Sequence, residues 1–301
     1  MLALLLAALC SVLVSLLLKW SKPKGFNALA LITWNYVAAI ALSALLMKPD
    51  FNQITVPFNT QISTQSFSTW LPLIGLGVLL PSIFLALSAC LQQAGLIKTE
   101  VAQRMSLLLS LVAAFFWFQE SFNWLKILGI VLGICGVLGL VFSTKSYKTK
   151  GNKTTAFRVS GVLLGMVWVG YAAVDVLLKY IATLGINTTT ALFCSFSVAF
   201  VVLLLWQVLS QQVQQLFQLK YSVLGLVLGA INFANIWFYI QAHKLLAANP
   251  ALVFSSMNIL VVLLGIAAGV LLFKERLKKS AWGYVALSLI AIVVLYYSRL
   301  V

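Results

Sequence analysis

The chain of 301 residues is 62% hydrophobic and only 8% charged, against about 25% charged residues in an ordinary soluble domain. A fold of this size cannot hide that apolar excess from water, so lipid is the solvent for most of it, and ~20 apolar residues per span suggest on the order of ten spans. The net charge of +15 does not imply nucleic acid as a partner: basic residues flank membrane spans beside anionic lipid, and no basic, aromatic-interleaved segment lies outside the apolar runs.

The first apolar run, 2–18, has the length of a secretory h-region, and Leu9-Cys10 loosely resembles a lipoprotein site. No basic segment precedes it and Leu9 is not small, so it is read as the first span. Nine further runs follow at 27–47, 70–90, 101–118, 124–142, 159–179, 188–209, 221–241, 250–273 and 281–298. All are too long and unbroken for strands, and helices satisfy their own backbone polar groups in lipid. The fold class is therefore all-α integral membrane, with ten transmembrane helices. Two polar breaks stand out: 48–69, rich in Asn, Gln, Ser and Thr, and 143–158, with Lys145, Lys148, Lys150, Gly151 and Lys153. The second divides the chain into a first five-helix repeat (1–142), a basic linker loop (143–158) and a second five-helix repeat (159–301).

The halves resemble one another. Leu16-Leu17-Leu18-Lys19-Trp20 aligns with Val176-Leu177-Leu178-Lys179-Tyr180, and Gly25-Phe26-Asn27 with Gly185-Ile186-Asn187, both at an offset of 160. Phe118-Gln119-Glu120 corresponds to Phe273-Lys274-Glu275 at an offset of 155, and Gln93-Ala94 to Gln241-Ala242. A repeat with an odd number of spans must enter the membrane in opposite orientations. Numbered by the span they follow, the odd loops hold 15 of the 20 Lys and Arg residues. The positive-inside rule then makes those loops cytoplasmic and puts both termini on the other side of the cell (inner) membrane. Equivalent loops change their charge bias between the halves, as an inverted repeat requires.

Inverted repeats meeting at the midplane are the recurring construction of secondary transporters, so polar groups at membrane depth are the candidates for a site. The chain has five acids, Asp50, Glu100, Glu120, Asp175 and Glu275. Glu100–Arg104, Asp175–Lys179 and Glu275–Lys279 all have the i,i+4 spacing that places opposite charges on one helix face. Asp175 is the deepest acid and the candidate for proton coupling; the alternative is that Lys179 neutralises it near the interface. Glu120 and Glu275 sit at equivalent junctions and are expected to orient loops. Arg104, one turn inside the fourth span, suits a carboxylate or phosphate of a substrate. Its competing role is a snorkelling residue paired to Glu100.

Asn232, Asn235 and Tyr239 share a face of the eighth span, Asn258 and Ser255 form a polar strip on the ninth, and Asn35 is alone in the second. Such groups bind ligands or join helices directly; the asparagine pair is read as facing a cavity. Most tryptophans, such as Trp20, Trp70, Trp124 and Trp282, flank spans as interfacial anchors, whereas Trp117 and Trp237 lie deeper. Gly129, Gly133, Gly136 and Gly139 in the fifth span permit close helix packing. Cys10, Cys90, Cys135 and Cys194 lie in separate apolar runs without metal-ligand spacing, and His243 is the sole histidine. No metal and no cofactor are expected, and the phosphate loop of a hydrolytic pump is missing.

Ten spans in a five-plus-five inverted repeat, with Phe118-Gln119-Glu120 leading to Gly129 and Phe273-Lys274-Glu275 leading to Gly283, resemble the EamA-type members of the drug/metabolite transporter superfamily. The second copy departs by one residue in its Glu-to-Gly spacing, and the fourth span is shorter than the ninth. The resemblance implies export or exchange of a small metabolite, such as an amino acid, through a cavity formed mainly by spans three, four, eight and nine. It would place Arg104, Trp117, Asn232, Asn235, Trp237 and Asn258 near the substrate. The competing reading is a lipid-handling membrane protein, either a scramblase or an enzyme on lipid-linked substrates. Scattered acids and one histidine argue against catalysis.

Overall fold

The computed structural model describes residues 2–50, 64–118, 123–142, 153–246 and 250–298. Glu120, residues 143–152 of the linker and the C-terminal Val301 lie outside the described residues. Every regular element among the described residues is helical. The α-helices are α1 (Leu2–Ser21), α2 (Ala28–Leu42), α3 (Thr64–Gln93), α4 (Leu96–Arg104), α5 (Ser106–Phe118) and α6 (Trp124–Phe142). The second half holds α7 (Lys153–Thr183), α8 (Thr188–Leu209), α9 (Leu219–Leu245), α10 (Pro250–Leu271) and α11 (Lys279–Tyr297).

Seven of these segments are long and apolar enough to cross a membrane, and Trp124–Leu140 and Ser255–Leu271 are shorter apolar stretches. The run expected as the fourth span differs most from its reading. Its first four residues end α4, which already begins at Leu96, and its remainder is α5, the two parting at Met105; neither helix alone reaches the ~20 residues a span needs.

The helices fall into two compact units, each assembled from both halves of the sequence. The first unit comprises residues 1–20, 86–172 and 234–301. Its tightest pairing is α6 against α11. A Cβ at Gly129 would lie 2.7 Å from Leu295 Cγ, and Cβ atoms at Gly136 and Gly139 would collide with Ser288 and Tyr284. The contacted residues recur every three or four positions, so one stripe of α11 lies on the bare backbone of α6. Gly133 faces Leu108 of α5 instead. The adjoining core joins Ile97, Val101, Met105, Leu111, Val262 and Val285. A second cluster packs Leu4, Ala8 and Val12 of α1 against Ala242, Met257 and Val261.

The second unit comprises residues 21–85 and 173–233. Asn27 caps α2, its Oδ1 accepting from the Leu29 N–H at 2.9 Å, while its Nδ2 donates to Gln212 Oε1 at 2.7 Å. Helices α2 and α8 pack together, with Tyr36 and Phe196 rings 5.9 Å apart and a hydrogen bond from Gln207 to Thr33. On its other side α2 meets α9, where a Cβ at Gly229 would lie 2.7 Å from Ala38 Cβ.

Candidate functional site

Five of the nine residues of α4 (Leu96–Arg104) are Lys98, Thr99, Glu100, Gln103 and Arg104. Lys98, Thr99 and Glu100 are nevertheless buried. Polar side chains buried in so apolar a chain are tolerated only where protein groups surround them. Two built ends hold the helix there.

At its start, Gly95 adopts φ +92°, a left-handed conformation that glycine reaches without a Cβ penalty. The first orphan N–H groups of the helix are taken by Glu275. Its Oε1 accepts from Leu96 at 2.6 Å and its Oε2 from Ile97 at 3.2 Å. An acid at a helix N-terminus is favoured by the helix dipole as well. Lys19, at the end of α1, donates to the same carboxylate and lies 4.4 Å from the centre of the Phe273 ring. Gln92 closes the junction, its Nε2 donating to the carbonyls of Leu18 (3.1 Å) and Lys19 (2.9 Å). One carboxylate thus ties α1, α4 and the segment before α11 together.

The sequence reading expected Glu275 to orient a loop, and it does. The expected i,i+4 pairing with Lys279 is not its role: residues 274–278 are not helical, so the spacing does not put the two on one face, and Glu275 pairs with Lys19.

At the other end, the Met105 N–H closes the last turn on Val101 O at 2.9 Å, and α5 opens with Leu108 N–H on Met105 O at 3.0 Å. The Trp168 indole of α7 donates to that same Met105 carbonyl at 2.9 Å. Protein groups therefore satisfy the backbone at the break.

Arg104 is the last residue of α4. Its Nη2 donates to Ser11 Oγ on α1, and its Nε is buried without a hydrogen bond. Glu100, one turn earlier, is 1% exposed. Its electrostatic neighbours are the Arg104 guanidinium and the Ser15 hydroxyl, and neither oxygen has a close hydrogen bond. On α10, a Cβ at Gly265 would stand 2.9 Å from Glu100 Cγ, so the two helices meet at the carboxylate.

The other expected site residues divide between the units. Asn235, Trp237 and Asn258 belong with Arg104 to the first unit, Asn232 and Asp175 to the second. Asn258 and Ser255 are both buried on α10. Asn235 is half-buried and its Oδ1 is enclosed without a hydrogen bond. Trp237 is half-buried and Asp175 is exposed. Asn232 donates from Nδ2 to Asn35 Oδ1 at 3.1 Å, a helix-to-helix bond between α9 and α2. Trp117 is 75% exposed near the end of α5 and is not gathered with the polar groups. A recess of about 230 Å³ along the seam of α10 and α11 is lined by Ser255, Ser256, Ile259, Val293, Tyr296 and Tyr297, with no charge.

Sequence reasoning did not single out Ser11, Ser15 or Trp168. The serines repeat at i,i+4 on α1, a pattern too common among apolar spans to stand out. Trp168 carries no local signal at all, because its partner is a backbone carbonyl 63 residues away. Among the described residues no group of three His, Cys, Asp or Glu side chains is placed to hold a metal ion.

Residues 1–142 match the model of the EamA-like transporter family. A Haemophilus influenzae protein described as uncharacterized is 41% identical over 295 residues, covering 98% of this chain and 97% of its own length. A multi-pass helical membrane protein with polar groups gathered at a broken span accords with that match, and the chain belongs to the EamA-like transporter family, within the drug/metabolite transporter superfamily.

Proposed function

We propose that the protein is a secondary transporter, an exporter or exchanger of a small metabolite such as an amino acid, working by alternating access. The observation that carries the reading is the break at Met105, with Arg104 and Glu100 enclosed beside it. Interrupted helices with charged groups at the interruption are how transporters recognise polar substrates inside lipid. Arg104 supplies a forked donor for an anionic group of the substrate. Asn235, Trp237 and Asn258, in the same unit, supply further hydrogen bonds and an aromatic surface.

A five-plus-five inverted repeat of ten spans, with the odd loops cytoplasmic and both termini outside, completes the proposal. It is supported by the pairing of helices: α2 with α8, α4 with α10, and α6 with α11. In each pair the partners occupy corresponding places in the two halves.

Counterflow in proteoliposomes tests the function, with the lumen loaded in turn with amino-acid, dicarboxylate, sugar, sugar-phosphate and amine pools. Saturable accumulation of one label establishes a carrier. Leak alone from every pool, with labelled lipid exchanging between leaflets, would replace the transporter by a lipid-handling protein.

A further inference from the structure

We propose that Glu100 is the proton-coupling group for a substrate anion bound at Arg104: it takes up a proton as an incoming carboxylate or phosphate engages the guanidinium. The inference rests on the transporter reading above and adds to it a substrate class and a coupling group.

Glu100 and Arg104 lie one turn apart on a helix of nine residues. The carboxylate is 1% exposed, with the Ser15 hydroxyl and the guanidinium as its neighbours. Arg104 spends one N–H on Ser11 and keeps a buried Nε without an acceptor. Both partners thus retain hydrogen-bonding capacity that the resting arrangement does not use. An unused charged donor at this depth is costly unless an acceptor arrives for it.

The charge balance then decides the stoichiometry. The titratable groups on the packed elements are few: Lys98 and Arg104 on α4 itself, Lys19 and Cys10 on α1, Cys90 on α3, Lys126 and Cys135 on α6. Helices α5 and α10 carry no charged residue. Lys19 is engaged by Glu275 and Lys98 has the same carboxylate as its attractive electrostatic neighbour, which leaves Arg104 as the cation one turn from Glu100. With Glu100 ionised, the pair is neutral and a second anion would leave one negative charge uncompensated in a poorly solvated place. With a proton from solution on Glu100, the acid is neutral and the substrate anion balances the guanidinium, its oxygens accepting the N–H groups. One proton enters for each anion bound. The proton leaves when the anion does, and the ionised Glu100 again balances the charge of Arg104.

The close approach of Gly265 gives the exchange its confinement. A Cβ there would meet Glu100 Cγ at 2.9 Å and Cβ at 3.2 Å, so the carboxylate has α10 on one side and the α1 serines near it. Its charge beside Arg104 is removed by neutralisation rather than by swinging away.

The test is counterflow into proteoliposomes of the full chain, with internal and external pH equal and varied between about 5.5 and about 8. The expected label is an amino acid, a dicarboxylate or a sugar phosphate. Its half-saturation concentration rises by up to about tenfold per pH unit once Glu100 is ionised. Glu100→Gln is expected to flatten that dependence and to bind at high pH as the wild type does at low pH. Glu100→Asp should keep the slope with a shifted midpoint. Saturable counterflow of neutral sugars or amines alone overturns the inference while leaving a transporter. A flat wild-type profile overturns it without needing any variant to fold, and so does a slope that survives in Glu100→Gln but is lost in Asp175→Asn. Leak alone from all pools removes the transporter reading and the inference with it.

Discussion

Lys19 and Glu275 stand 256 residues apart in sequence and meet as an ion pair whose carboxylate also caps α4. Their side chains are only 13% and 14% exposed, so removing one partner leaves a charge that water reaches poorly. Glu275→Ala also orphans the Leu96 and Ile97 N–H groups. It is expected to cost about 3 kcal/mol, as breaking a buried pair does. Lys19→Met should cost less, because the carboxylate keeps its two backbone donors. Thermal unfolding of both single variants and the double variant in detergent checks this. Additive effects would deny the coupling.

The α6–α11 contact makes a second prediction. Gly136→Leu and Gly139→Val drive side chains into Ser288 and Tyr284, and overpacking of this kind costs about 1–3 kcal/mol. Gly283→Ala is the control, since nothing lies within 4 Å of its Cβ position. It should be neutral or slightly stabilising, as alanine is the better helix former. A loss in Gly283→Ala as large as in the other two would mean that the contacts with Ser288 and Tyr284 do not govern this seam.

Trp168→Phe keeps the ring and removes the indole N–H that satisfies the Met105 carbonyl. A lost hydrogen bond to a buried carbonyl is worth about 1 kcal/mol. The expected outcome is a modest loss of stability with a larger fall in counterflow rate, because the break positions Arg104. An unchanged rate would separate the break from transport.

Asn232→Leu removes the bond to Asn35 at 3.1 Å. Interhelical hydrogen bonds in membranes are typically worth about 0.6 kcal/mol, so a small stability change and unaltered half-saturation are expected. A large rise in half-saturation would return Asn232 to the substrate site.

The orientation is tested in a variant lacking the four native cysteines. Lys22→Cys, in the loop after α1, should be shielded from an impermeant maleimide in right-side-out vesicles and labelled after lysis. Labelling from outside would invert the proposed topology.

Much of the fold was legible because hydropathy is local and additive. The apolar runs marked the helices, and Gly129, Gly136 and Gly139 announced a close seam, since a missing Cβ acts wherever another helix arrives. Even the Glu100–Arg104 spacing was visible, because i,i+4 geometry follows from helical pitch alone. The sequence by itself determined a multi-pass helical membrane protein and the small set of charges among its apolar runs. The tertiary structure decided which charges matter together. That Glu275 serves Lys19 and α4 rather than Lys279, that Trp168 satisfies the carbonyl where α4 and α5 part at Met105, and that Ser11, Ser15 and Gly265 lie against Arg104 and Glu100 all depend on elements far apart in the chain. Polar groups in a poorly solvated interior take whatever partner packing brings within reach, and packing is a property of the whole unit rather than of any one segment.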